Sequence, residues 1–241
     1  MTDNAFVGRQ RELAILEKAL NHAQQGHTQF VFLRGDGGSG KTTLIDQFCR
    51  QCEPLVISAH GMSLPFLECG EAYFPFLDLL SKLAAIKPPG DEKEPGFSDY
   101  SKAFVKALVD NGEDLVGTLL PSGSGVVKMV KSANKLWGDT KKQVSGDASI
   151  ASSASIDTNK IHMQYARVLQ SIAKKYPLVL CLDSFHWADM ASLDMLIYLA
   201  SNIKNSRILF VLALNDYEVP RSTDGNLMNS VYRLCTSSNH H

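Results

Sequence analysis

Eight consecutive residues, Gly35-Asp36-Gly37-Gly38-Ser39-Gly40-Lys41-Thr42, satisfy the spacing G-x-x-x-x-G-K-[ST] in full. The chemistry open to such a run is anion wrapping. Successive backbone N–H groups must turn inward around a phosphate, and glycines permit both the dihedrals and the close approach this needs. Lys41 is then placed to bridge the β- and γ-phosphates of a nucleotide, and the Thr42 hydroxyl to ligate Mg²⁺. Thr43 continues the same first helical turn, whose positive end faces the anion. A second group lies far along the chain, where the run Leu178-Val179-Leu180-Cys181-Leu182 ends in Asp183. An acid at the carboxyl end of a buried strand can hold Mg²⁺ directly or through water. Such an Asp can also merely cap the next turn, but beside a P-loop the metal role dominates.

These groups need elements to position them. Arg9–Ala23 has helical periodicity, with Leu13, Ile15, Leu16 and Leu20 as its apolar face. Phe30-Val31-Phe32-Leu33, within Gln29–Arg34, reads as a buried strand leading into the Gly-rich loop. Lys41–Cys52 follows as a helix with Leu44, Ile45 and Phe48 inward, and Leu55-Val56-Ile57 as a second strand. Helices are expected at Phe74–Ile86, with Pro75 near its start, and at Phe97–Asn111, Ile161–Tyr176, Leu193–Leu199 and Asn226–Leu234. Leu178–Leu182 and Ile208–Leu214 are apolar throughout, as strands covered on both faces are. Alternating strands and helices predict an α/β fold, a doubly wound parallel sheet with helices on both faces. Residues 1–241 read as one nucleotide-binding domain. Gly117–Asn159, rich in Gly, Ser, Ala and Lys, reads as an inserted, mobile surface segment.

Composition narrows the class. With 24 basic against 25 acidic residues, nothing marks a nucleic-acid or anionic-membrane footprint. No apolar run approaches the roughly 20 residues of a transmembrane helix, and the polar N-terminus lacks a signal-peptide core, so a cytoplasmic location is expected. Five cysteines, an odd number, fit that compartment. Cys49 and Cys52 form C-x-x-C, open to reading as a redox pair, as half a zinc site, or as two half-buried thiols late in one helix. A guanine-specific N-K-x-D is missing: Asn134-Lys135-Leu136-Trp137 and Asn159-Lys160-Ile161-His162 both lack the Asp.

Taken together, Phe6-Val7-Gly8-Arg9 with Glu12-Leu13, the P-loop, Tyr73-Phe74-Pro75 and Leu182-Asp183-Ser184-Phe185-His186-Trp187-Ala188-Asp189 resemble the AAA-type ATPase domain of STAND signalling proteins. The resemblance covers nearly the whole chain except 117–159. It implies ATP/ADP with Mg²⁺ as ligands and a nucleotide-controlled regulatory switch. It places Val7, Gly8 and Arg9 at the adenine end of the site, and makes Asp183 the Walker B acid. It sets His186, Trp187 and Asp189 beside the γ-phosphate, and gives Asn215 the sensor position. The blander alternatives are packing for Phe185 and Trp187, and a solvated helix-start residue for Arg9.

Two departures bear on turnover. Ser184 stands where many relatives have a second acid to activate water, and a hydroxyl is no general base near neutral pH. Asn215 stands where many have Arg, and so supplies no charge. Slow hydrolysis is expected unless His186 or Asp189 substitutes; the competing reading is a module that holds nucleotide without useful turnover. The resemblance also implies strand order 5-1-4-3-2. The chain reaches His241 before a fifth strand, so a fragment, a truncated gene product or a degenerate stand-alone domain is expected, with Gln29–Arg34 as an exposed edge prone to self-association.

Lys41→Ala is expected to abolish nucleotide binding and leave the fold intact, because the side chain serves the ligand and supports no core. Titration with a fluorescent ATP analogue checks this; equal affinity in both proteins would contradict the P-loop assignment.

Overall fold

The computed structural model describes residues 8–52, 56–63, 72–86, 103, 106–108, 110–111 and 158–215. Val7, nearly all of the 117–159 segment, the helix expected at 226–234 and any fifth strand lie outside these residues. The described elements, in chain order, are α1 (Gln10–Gln24), β1 (Gln29–Arg34), α2 (Lys41–Cys52), β2 (Ile57–Met62), α3 (Phe74–Ala85), α4 (Thr158–Ala173), β3 (Leu178–Asp183), α5 (Met190–Asn202) and β4 (Ile208–Leu214). Residues 103, 106–108 and 110–111, within the helix expected at 97–111, are helical.

All four strands are parallel, in the order β1-β4-β3-β2. That matches the 1-4-3-2 part of the expected order. Among the described residues β1 pairs only with β4. The central strands are buried at nearly every position because both faces are covered. Side chains alternate between the faces with period two. Val179 and Cys181 of β3, with Leu209, Val211 and Ala213 of β4, pack on α1 and α2. Leu178, Leu180, Leu182, Ile208, Phe210 and Leu212 point the other way, into a larger core with α3, α4 and α5. Phe30 and Phe210, register partners across β1 and β4, stack there at 4.7 Å. The result is a three-layer sandwich.

The helical faces follow from the 3.6-residue repeat, with one correction. In α1 the buried set is Leu16, Ala19, Leu20 and Ala23, at i, i+3, i+4 and i+7. Ile15, expected on the apolar face, is 59% exposed, since one residue's rotation carries it off the stripe that Leu16 occupies. The second strand also differs from expectation. It runs from Ile57 to Met62, beginning where the apolar triplet 55–57 ends. Its alternation of Ile57, Ala59 and Gly61 with Ser58, His60 and Met62 hides a strand with one polar-bearing face. Gly61 is needed by close approach: a Cβ there would lie 2.3 Å from the Pro75 carbonyl, where the first turn of α3 crosses β2. Helix α5 exceeds its expected 193–199 span because Asp189 caps it from outside, and α4 starts at Thr158, inside the span read as insertion.

Phe48, wholly buried between α2 and the sheet, and Ile15 make a matched test of this packing. Phe48→Ala should cost about 3–5 kcal/mol, and Ile15→Ala should stay within about 0.5 kcal/mol. Urea denaturation midpoints measure both.

Candidate functional site

The site is built where strands end. Because β1, β4 and β3 are adjacent and parallel, their carboxyl ends present the P-loop, Asn215 and Asp183 side by side at one rim. The loop leaves β1 at Gly35 and turns through left-handed dihedrals at Gly38 (φ 75°) and Gly40 (φ 84°), which non-glycine residues adopt only at a cost. The Ser39 amide donates to the Asp36 carbonyl at 3.1 Å, closing the turn, and Leu44 N–H to the Gly40 carbonyl at 2.9 Å begins α2. Lys41 Nζ lies across the loop, donating to the carbonyls of Gly35 and Asp36, both at 2.8 Å, and to Ser39 Oγ at 3.4 Å. The ammonium thus sits at the phosphate cradle itself. The amides of the first helical turn have no carbonyl partner within the helix and are available to an anion.

Thr42 Oγ1 donates to Asp183 Oδ2 at 2.6 Å, joining the first turn of α2 to the end of β3. The other carboxylate oxygen accepts the Ser184 amide at 2.7 Å, which fixes the carboxylate's plane. A hydroxyl and a carboxylate held together are hard oxygen donors of the kind Mg²⁺ takes, so these residues fit that ion.

After Asp183 the chain turns sharply. Ser184 has φ 52°, and the 3₁₀ turn Phe185–Trp187 follows, closed by Trp187 N–H to the Ser184 carbonyl at 2.9 Å. Phe185 is wholly buried, edge-on to Phe76 at 6.2 Å, so it packs the turn. His186 is buried, and its Nδ1 accepts the Asn215 backbone amide at 3.3 Å. That bond places the imidazole proton on Nε2. Trp187, partly buried, lies against the His186 ring at 5.3 Å.

Asp183, Ser184, His186, Trp187 and Asn215 face residues 37–43 across a cavity of about 340 Å³. The structure therefore brings together most of the sequence-predicted site. Asp189 is not in that lining. Its Oδ1 accepts from the Ser192 amide (2.9 Å) and the Tyr73 amide (3.3 Å), and its Oδ2 from the Ser192 hydroxyl (2.6 Å). It caps α5 and ties that helix to the start of α3. Tyr73, at φ 67°, makes the matching turn, and its hydroxyl meets His162 Nε2 at 3.1 Å. Burial raises the phenol's pKa and lowers the imidazole's, so this is a neutral hydrogen bond. Arg9 (φ 64°) reaches the loop from outside: Nη1 pairs with Glu12 at 3.1 Å and Nη2 donates to the Ser39 carbonyl. Gly8 precedes it at φ 92°. Sequence reading missed this Arg9–Ser39 contact, since nothing in the spacing of residues 9 and 39 announces it.

A larger concavity, about 590 Å³, opens at the opposite end of the strands among Gly26, Arg167, Lys174 and Arg207. Among the described residues its lining has neither a phosphate-wrapping loop nor an acid, whereas the smaller cavity has both.

A parallel α/β sheet, a complete G-x-x-x-x-G-K-T loop between strand and helix, and an acid hydrogen-bonded to the loop's Thr define a P-loop NTPase. A family model described as AAA ATPase domain matches residues 5–211, and the chain belongs to that family. Nucleotide binding comes with that membership. Comparison with curated proteins found no match. No helix among the described residues is long and apolar enough to cross a membrane.

Asp189→Ala should lower stability by about 0.5–2 kcal/mol through loss of the cap and leave nucleotide affinity unchanged. Denaturation and nucleotide titration of the same variant check both halves.

Proposed function

We propose that this chain is a Mg²⁺-dependent ATP-binding domain acting as a regulatory switch, in which hydrolysis is slow. The single observation carrying this reading is the 2.6 Å Thr42–Asp183 bond, which sets two oxygen donors beside Lys41 at the phosphate cradle. Thr42 and Asp183 would hold Mg²⁺ there, and the ion would supply positive charge to the bound phosphates. Lys41 and the loop amides bind and orient the phosphates, while Arg9 braces the loop through Ser39. ATP is favoured over GTP because the chain lacks N-K-x-D.

The case for slow turnover rests on which groups can take a proton from water. Ser184 cannot. Asp189 has both oxygens engaged outside the cavity. His186 accepts from Asn215 N–H through Nδ1, so its Nε2 carries the proton and can donate to a phosphate or water rather than act as base. Asn215 lines the cavity and supplies amide dipoles in place of charge. With phosphate-binding groups in place and a base lacking among the described residues, the ATP-bound state is long-lived, as a switch in the manner of the STAND proteins requires. The edge position of β1 among the described residues supports self-association as a possible output.

Steady-state phosphate release, with Lys41→Ala as blank, tests the reading. Ser184→Glu should raise the rate, by about 10²–10⁴-fold in the favourable limit, and Asp183→Ala should abolish Mg²⁺-dependent binding. Turnover indifferent to both substitutions would overturn the proposal.

A further inference from the structure

On the α2 face of the sheet, away from the phosphate cavity, three side chains with soft or borderline donors converge. β2 and β3 are parallel neighbours whose register sets His60 directly beside Cys181. Period-two alternation turns both toward α2, and Cys49 descends from that helix between them. Cys49 Sγ lies 3.8 Å from Cys181 Sγ and 3.2 Å from His60 Nε2, and the three donor atoms all lie within 4.8 Å of one another. His60 Nδ1 faces Asp46 Oδ1 at 3.6 Å.

We propose that Cys49, His60 and Cys181 form a binding site for a thiophilic divalent cation, Zn²⁺ foremost. Two thiolates and an imidazole are the donor set that Zn²⁺ prefers over hard oxygen-seeking ions. Tetrahedral coordination with Zn–S bonds of about 2.3 Å sets neighbouring sulfurs about 3.8 Å apart, which is the Cys49–Cys181 spacing found. The imidazole must withdraw from Cys49 by a few tenths of an ångström, since S···N pairs in such a site are about 3.5 Å apart. Asp46 Oδ1, 3.6 Å from His60 Nδ1, is too far for a hydrogen bond as the ring stands but near enough that its charge favours a proton on Nδ1, which leaves the Nε2 lone pair for the metal. On binding, the protons that the two sulfurs and the imidazole Nε2 still carry pass to solvent, and the dication balances two negative charges in apolar surroundings that would otherwise disfavour them. The Cys49–Cys181 contact acts in opposite directions on the two thiols: it draws the Cys49 pKa down to about 6, with His60 adding to it against burial, and together with burial it holds the Cys181 thiol well above its ordinary value, so the cation must displace the Cys181 proton. Cys52 is likewise pushed up, to about 11, by burial and by Cys49. The pair that matters is therefore not the C-x-x-C of the sequence. His60 and Asp46 side chains, 32% and 49% exposed, give solvent a way in and leave a fourth coordination position for water.

The location gives such a site a consequence. Cys49 lies on the helix whose first turn carries Thr42, and Cys181 two residues before Asp183. A cation between them would clamp α2 to β3, the two elements whose ends carry the Mg²⁺ donors.

The test uses the full chain, reduced, metal-stripped and free of nucleotide, titrated with Co²⁺ and then with Zn²⁺. One Co²⁺ per chain should bind with thiolate-to-cobalt charge-transfer absorption and the intense visible bands of tetrahedral cobalt, and Zn²⁺ should displace it and raise the thermal midpoint. Cys49→Ala should abolish the charge-transfer band. His60→Ala, at a position about one third exposed, should weaken Zn²⁺ at least ~10-fold; Cys52→Ala should change nothing. Absence of a thiolate band in folded wild type, its survival in Cys49→Ala, an unchanged Zn²⁺ affinity in His60→Ala, or its loss in Cys52→Ala would each overturn the site. So would a Cys49–Cys181 disulfide, found by peptide mapping after air oxidation, in a protein whose reduced form takes up neither metal.

Discussion

All four strands run in one direction, and most of the site's geometry depends on that constraint. Parallel neighbours end on the same rim, so the P-loop after β1, Asn215 after β4 and Asp183 at the end of β3 arrive together though far apart in sequence. Parallel strands also need crossover connections, and those here carry the helices that cover both faces. Covered on two sides, β3 and β4 must be apolar almost throughout, and the one charged residue of these two strands, Asp183, sits at a terminus. Burying a carboxylate any deeper would be costly without a partner. At the rim it meets the Thr42 hydroxyl and the Ser184 amide instead.

Helix α2 is the part on which phosphate binding and core packing meet. Its first turn presents Lys41, Thr42 and Thr43 to the cavity, while Leu44, Ile45, Phe48, Cys49 and Cys52 face the sheet. The loop before it holds left-handed backbone at Gly38 and Gly40, and the Lys41 ammonium spans that loop's carbonyls. Arg9 adds a second grip from outside, joining the start of α1 to the loop through the Ser39 carbonyl. Neither contact contributes core burial. Both hold the loop in one shape.

The polar residues following β3 divide by what their hydrogen bonds leave over. Asp189 uses both oxygens in capping α5 and holding the Tyr73 amide. His186 stays at the cavity but has its tautomer chosen by a backbone amide. The motif letters are the same whether a residue caps or catalyses; only the count of donors around each carboxylate and ring nitrogen separates the two.

Much was legible in sequence, because it rests on local rules. The P-loop's glycines, the apolar runs of β3 and β4, and the helical repeats of α2 and α4 each carry their meaning within a few residues. The four-strand parallel order followed from alternation and resemblance. What local rules could not reach was register and facing. The polar-bearing strand β2 was misplaced because Ser58 and His60 break the apolar run that a buried strand normally shows. Ile15 looked inward because spacing alone does not fix the centre of a helical stripe. The C-x-x-C pair drew attention to Cys52, whereas Cys49 turns to Cys181 and His60, residues brought to it by the β2–β3 register. Sequence determined which residues could bind phosphate and which segments would be buried. The tertiary structure decided which donors meet, because only the pairing of strands and the docking of α2 set distances between residues that lie far apart along the chain.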